Sequence, residues 1–249
     1  MTEALAPGER LPVHGTYNFR DVGGYRADGG VIRSGKLFRS DGLHALGVDG
    51  RRMLAELGVR VIVDLRDDAE VTALPDDIGG LDVEVLRLPV FEGSGASQAT
   101  IGGTLFDLYA KILLQHTDVV VGALREIADT RDAGVVVHCT AGKDRTGIVV
   151  ALALLAVGVS RADVVADYAR TEANLAGPWL QRMLALVRSH DVEVTPDIRV
   201  ILGGSPPAAL EYALDLIDRE RGGVLRYLQD AGLDEWELAK LRSVLVQPD

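Results

Sequence analysis

Apolar positions recur along this chain with two different periods, and the two alternate. Val59 to Leu65 (VRVIVDL) is a nearly continuous β-branched run, the pattern of a strand covered on both faces. Val83 to Leu88 (VEVLRL) and Val135–Val137, which follows the breaker Gly134, read as further strands. Val31–Arg33 and Lys36–Arg39 flank Ser34-Gly35 and predict a small hairpin. Between these segments lie helical patterns at Gly50–Leu57, at Leu105–Asp129 with a break near His116-Thr117, and at Thr146–Val157. After Ser160 the strand signal fades, and helices are predicted at Arg161–Asn174, Pro178–Ser189, Pro207–Arg219, Val224–Gln229 and Glu235–Val246. This is the β-α alternation of an α/β fold.

No linker is long enough to separate domains, so residues 1–249 are expected to form a single domain. The Gly- and Ser-rich stretch 92–103 is the candidate mobile loop. A composition of 47% hydrophobic and 25% charged residues is that of an ordinary globular protein. The formal net charge of −11 argues against nucleic acid as a partner, because polyphosphate binding draws its affinity from clustered Lys and Arg. The amino terminus has no basic start followed by an apolar stretch, and the run Ile148 to Val157 is too short to span a bilayer. A cytoplasmic protein without an integral membrane segment is therefore expected; the oligomeric state is open.

The chemistry concentrates in residues 134–150, GVVVHCTAGKDRTGIVV. A short strand ends at His138, the single cysteine follows as Cys139, and Arg145 comes six positions later at the start of a helical pattern. Successive backbone N–H groups in a tight loop, together with the positive end of the following helix, make a concave anion site. Gly142 permits backbone geometry that a side chain would obstruct. Arg145 supplies a planar fork matched to two phosphate oxygens. Positive potential at the strand end favours the thiolate of Cys139, the nucleophilic form.

As a set these residues resemble the His-Cys-five residues-Arg-Ser/Thr signature of the protein tyrosine phosphatase superfamily. The longer form HCTAGKDRTG is similar to its bacterial and fungal tyrosine and phosphoinositide phosphatases, as are NFRDVGGY at Asn18–Tyr25, LFRSD at Leu37–Asp41 and VDLRDDAE at Val63–Glu70. The resemblance implies a central, mostly parallel sheet flanked by helices, with a helical carboxy-terminal part. It implies a hydrolase that needs no metal or cofactor and acts on a phosphoprotein or phosphoinositide. Cys139 is then the nucleophile, and Arg145 with the loop of Thr140, Ala141, Gly142, Lys143 and Asp144 binds phosphate. Thr146 stabilises the departing thiolate, His138 fixes the cysteine through loop hydrogen bonds, and Lys143 offers a cation to a second phosphate or to the substrate.

The general acid departs from the superfamily's usual pattern, since no Trp-Pro-Asp sequence is present. Asp144 is the first candidate, with Asp107 and Glu92 as alternatives. Asp64, Arg66 and Glu70, at a strand end where ligands collect, read at least as well as a structural ion-pair network, Arg20 and Asp21 carry the same two readings, and Arg39, Ser40, Asp41, Tyr168 and Thr171 read as structural. The carboxy-terminal helices with Leu225, Leu228, Leu238, Leu241 and Leu245 form a packed subdomain or a cover over the site. Two other readings are a rhodanese- or arsenate-reductase-like cysteine enzyme and a silent phosphate-binding module. Gly142, Thr146 and the flanking landmarks favour the phosphatase over the first, and intact Cys139 and Arg145 count against the second.

With one cysteine in the chain, oxidation to a sulfenic acid cannot be relieved by an internal disulfide. Mild peroxide should inactivate the protein reversibly, with activity recovered on adding thiol; hydrolysis untouched by peroxide would contradict an exposed, reactive thiolate.

Overall fold

β7 (Gly134–His138), a run of valines after Gly134, is buried along its whole length and is the middle strand of a five-stranded sheet. The computed structural model of the chain describes residues 6–90, 104–130 and 133–249. The strand order is β1 (Arg20–Asp21), β4 (Leu37–Ser40), β7, β5 (Val59–Asp64), β6 (Glu84–Arg87), parallel throughout except for the edge pair β1–β4. Side chains alternate between two cores. Phe38, Ile62 and Val136 enter one with Leu54 of α1 (Gly47–Glu56). Leu37, Val63, Val135 and Val137 enter the other, against α4 (Thr117–Asp129) and α5 (Asp144–Ala156). The continuous β-branched run of β5 thus serves both faces, as its pattern implied.

Helices cover the remaining perimeter. α2 (Asp68–Ala73) follows β5, and α3 (Leu105–Gln115) meets α4 at the expected break, His116. α6 (Arg161–Leu175), α7 (Pro178–Ser189), α8 (Pro196–Gly203), α9 (Pro207–Arg221), α10 (Val224–Asp230) and α11 (Glu235–Leu245) follow α5. No apolar period in the sequence marks α2 or α8. No helix among the described residues is long and apolar enough to cross a membrane.

The hairpin expected from Val31–Arg33 and Lys36–Arg39 does not form. β3 (Gly30–Ile32) pairs with β2 (Arg26–Ala27) and with β8 (Val246–Pro248) in a separate antiparallel sheet, while β4 joins the central one. Ser34-Gly35 is therefore a corner between sheets: Gly35, at φ +77°, and Gly23 donate their N–H groups to the Asp21 carboxylate.

The register puts Ser40, His138 and Asp64 in one row at the carboxyl ends of three adjacent parallel strands, the edge where open α/β sheets bind ligands. Beneath that edge two fully buried arginines share one carboxylate. Arg39 Nη1 lies 2.6 Å from Asp167 Oδ2, and Arg20 Nε lies 3.5 Å from Asp167 Oδ1. Arg20 also donates to the Thr171 hydroxyl at 3.1 Å, so α6 is tied to β1 and β4 through charge. Removing one partner of a buried ion network leaves the others uncompensated. Asp167→Ala should therefore lower stability by about 3–5 kcal/mol, read from urea denaturation.

Candidate active site

The sequence between β7 and α5 is a loop of small residues because its backbone has to turn tightly. Gly142 sits at φ +64°, and a Cβ on it would fall 2.3 Å from the Ser40 carbonyl oxygen. Asn18 Nδ2 donates to the carbonyls of Ala141 and Gly142 at 3.1 and 3.0 Å, Arg39 Nη2 to Gly142 at 2.9 Å, and the Gly42 N–H to Thr140 at 3.2 Å. A trans peptide points its N–H opposite its carbonyl. A collar that draws three successive carbonyls outward therefore aims the N–H groups of Ala141, Gly142 and Lys143 into the concave side. α5 begins at Asp144, two residues before the expected Thr146, so Asp144, Arg145 and Thr146 occupy its first turn, where the helix dipole adds positive potential.

Cys139, 2% exposed, lines a cavity of about 230 Å³ together with Thr140, Ala141, Asp144 and Arg145. Leu74, Trp179, Met183, Leu186, Ile201 and Leu202 supply an apolar outer wall. The cover thus comes from α7 and α8. The helices holding Leu225, Leu228, Leu238, Leu241 and Leu245 do not line the cavity, and Arg125 on α4 holds α11 through Glu237 at 2.6 Å.

Arg145 presents both Nη atoms to Glu70, at 2.6 Å to Oε2 and 2.8 Å to Oε1. Glu70 also accepts from the Thr140 hydroxyl, and it is the reciprocal member of the Asp67 capping box on α2. Burial alone would raise the Glu70 carboxyl, but the hydrogen bonds and charge of Arg145 outweigh it and hold the group below its ordinary value. Glu70 is therefore part of an ion pair, one of its two sequence-based readings, and its partner is Arg145 of the loop. The Asp67-x-x-Glu70 capping pattern was the signal for its helix.

Three expectations are corrected. The His138 ring is fully buried and makes no hydrogen bond to the loop; Nε2 faces Asp76 Oδ2 at 3.3 Å and Asp64 Oδ1 at 3.7 Å. Arg66 already braces both of those carboxylates, at 2.9 and 2.8 Å, so the trio is held by a guanidinium. Lys143 does not face the cavity for a second phosphate. Its buried Nζ donates to the carbonyls of Ile201 at 2.6 Å and Val200 at 3.2 Å in the last turn of α8, where the Val200 carbonyl also accepts the Gly204 N–H. Asp107 does not reach the cavity among the described residues: it caps α3 through the Thr104 N–H and hydroxyl. Glu92 and the loop 92–103 lie outside the described residues.

Asp144 does face the cavity, 8% exposed, and its Oδ1 accepts from the Tyr109 hydroxyl at 2.8 Å. The Thr146 hydroxyl is buried in the same turn, with no partner among the described residues. Tyr109 and Asn18 are parts of the site that residue-by-residue reading could not find, because each comes from an element far away in sequence.

A sole thiol at the carboxyl end of a central parallel strand, beneath an anion cradle that opens a buried helix, defines a phosphatase of the α/β class. The chain belongs to the tyrosine phosphatase family, whose model matches residues 11–247. It is 30% identical to the triple specificity protein phosphatase PtpB of Mycobacterium tuberculosis, over 93% of this chain and 97% of that one. It is 29% identical to H16_A0669 of Cupriavidus necator, provisionally named a tyrosine-protein phosphatase, over 90% of this chain and 84% of the relative. Among solved structures, P. aeruginosa TpbA aligns at 19% identity with a TM-score of 0.36, over 78% of this chain and 99% of that one.

Because its folded-state carboxyl is depressed, Glu70 contributes stability above the ordinary Glu range near about 4.3 and loses it as pH falls through the lower folded value. Glu70→Gln should lower stability by about 1–3 kcal/mol at neutral pH, and denaturation curves of variant and parent should converge as pH falls through the depressed Glu70 carboxyl.

Proposed function

We propose that the protein hydrolyses phosphotyrosine in proteins, without a metal, through a phosphocysteine at Cys139. The observation that carries this is that Cys139, Asp144 and Arg145 line one cavity at the mouth of the N–H cradle. Sγ attacks phosphorus while the ester P–O bond breaks, and the departing oxygen takes the proton of Asp144. Water then attacks phosphorus, its proton returns to Asp144, and sulfur leaves as thiolate, to which the buried Thr146 hydroxyl donates. Arg145 and the loop N–H groups from Thr140 to Arg145 hold the equatorial oxygens in both steps. Glu70 must yield part of the Arg145 fork to the phosphate.

Phosphotyrosine ranks first because Leu74, Trp179 and Met183 offer an apolar wall to its ring. Phosphoserine, phosphothreonine and phosphoinositides rank second. For a polyphosphorylated headgroup the further cations are Arg66, which lines the cavity but is paired with Asp64 and Asp76, and Lys143, which is engaged by α8. The relative PtpB carries triple specificity in its name, which keeps these substrates in the test.

Hydrolysis of phosphotyrosine, phosphoserine and phosphothreonine peptides and soluble phosphoinositides in the presence of a chelator is the test. The phosphotyrosine peptide should be turned over fastest, and Cys139→Ser should lose about 10³-fold or more in kcat. Activity retained in Cys139→Ser would refute the nucleophile. A phosphoinositide turned over fastest would reverse the ranking.

A further inference from the structure

The acid assigned above is gripped from behind. Asp144 opens α5, and two helices from other parts of the chain, α3 and α6, meet behind it. Tyr109 of α3 is fully buried and gives its one hydroxyl proton to Asp144 Oδ1 at 2.8 Å. Tyr168 of α6 lies 2.6 Å from the Tyr109 oxygen, and the two rings pack edge to face at 82°. With the Tyr109 proton committed to Asp144, the Tyr168 hydroxyl is the donor in that second bond. Lys143 Nζ also approaches Oδ1, at 3.4 Å. Both donors address the same oxygen, while Oδ2 accepts no hydrogen bond among the described residues. An oxygen receiving donors is a poor place for the acid's own proton, so in the neutral carboxyl the proton resides on Oδ2, the oxygen left for the cavity.

We infer that Tyr109, backed by Tyr168, is a positioning residue that selects which oxygen of Asp144 carries the transferable proton and holds it toward the leaving group. The same bond stabilises the carboxylate left behind once Oδ2–H has passed to the departing oxygen. The inference rests on Asp144 being the general acid.

The two roles separate by leaving group. Proton donation matters most for phenyl phosphate, whose phenolate is strongly basic, and least for 4-nitrophenyl phosphate, whose phenolate leaves unaided. Tyr109→Phe keeps the ring and removes only the hydroxyl. It should lower the ratio of kcat for phenyl to 4-nitrophenyl phosphate by about 3- to 10-fold, the worth of one hydrogen bond. Asp144→Asn should lower the same ratio by about 10²-fold or more. A Tyr109→Phe protein that loses both activities in equal proportion, or neither, overturns the inference while leaving the acid in place. An unchanged ratio in Asp144→Asn overturns the acid assignment itself.

Discussion

The bond on which the site depends is the one from Arg39 to the Gly142 carbonyl. A loop that concentrates N–H groups on one side and turns its carbonyls away is unfavourable when no anion is present, because like dipoles crowd together and the carbonyls need donors of their own. Arg39 supplies one donor from beneath the sheet edge, and Asn18 supplies another. Arg39 is itself fixed by Asp167, which Arg20 shares. The cradle is preorganised because a chain of buried charge runs from α6 to the loop, and preorganised donors cost no rearrangement when phosphate arrives.

A site built to attract phosphate must also be held together when empty. Each of its cations has a partner. Arg145 rests on Glu70, whose carboxylate presents two oxygens to the fork as a phosphate would. Lys143 rests on the end of α8, and Arg66 on Asp64 and Asp76. In a protein of net charge −11 the acidic surplus thus reaches into the catalytic pocket. In the proposed reaction the phosphate would take over part of the Glu70 contact with Arg145, so Glu70 would set part of the balance between affinity and stability.

The cover shows the same economy of means. α7 and α8 bring Trp179, Met183 and Ile201 over the cysteine, and the carbonyls at the end of α8 meet Lys143 from the loop below. The apolar wall and the catalytic loop are therefore one connected structure. Excluding water there strengthens every electrostatic contact within the pocket.

The strands β5, β6 and β7, the helices α6, α7, α9, α10 and α11, and the loop from Cys139 to Thr146 could be read from the chain, because each is governed by local rules: period, breaker residues and a contiguous motif. The Val31–Arg39 hairpin failed because a two-residue turn signal says nothing about which strand becomes the partner; β8, from the far end of the chain, took that place. The resemblance likewise left His138 aimed at the loop and Lys143 at a second phosphate or the substrate, since a motif places a residue near a site but not the direction of its side chain. The sequence by itself placed the candidate nucleophile, the arginine and the loop that forms the cradle, all carried within eight consecutive residues. The tertiary structure alone decided what holds Arg145, what backs Asp144 and what closes over Cys139, because Glu70, Tyr109 and Trp179 reach the site only through packing of elements distant along the chain.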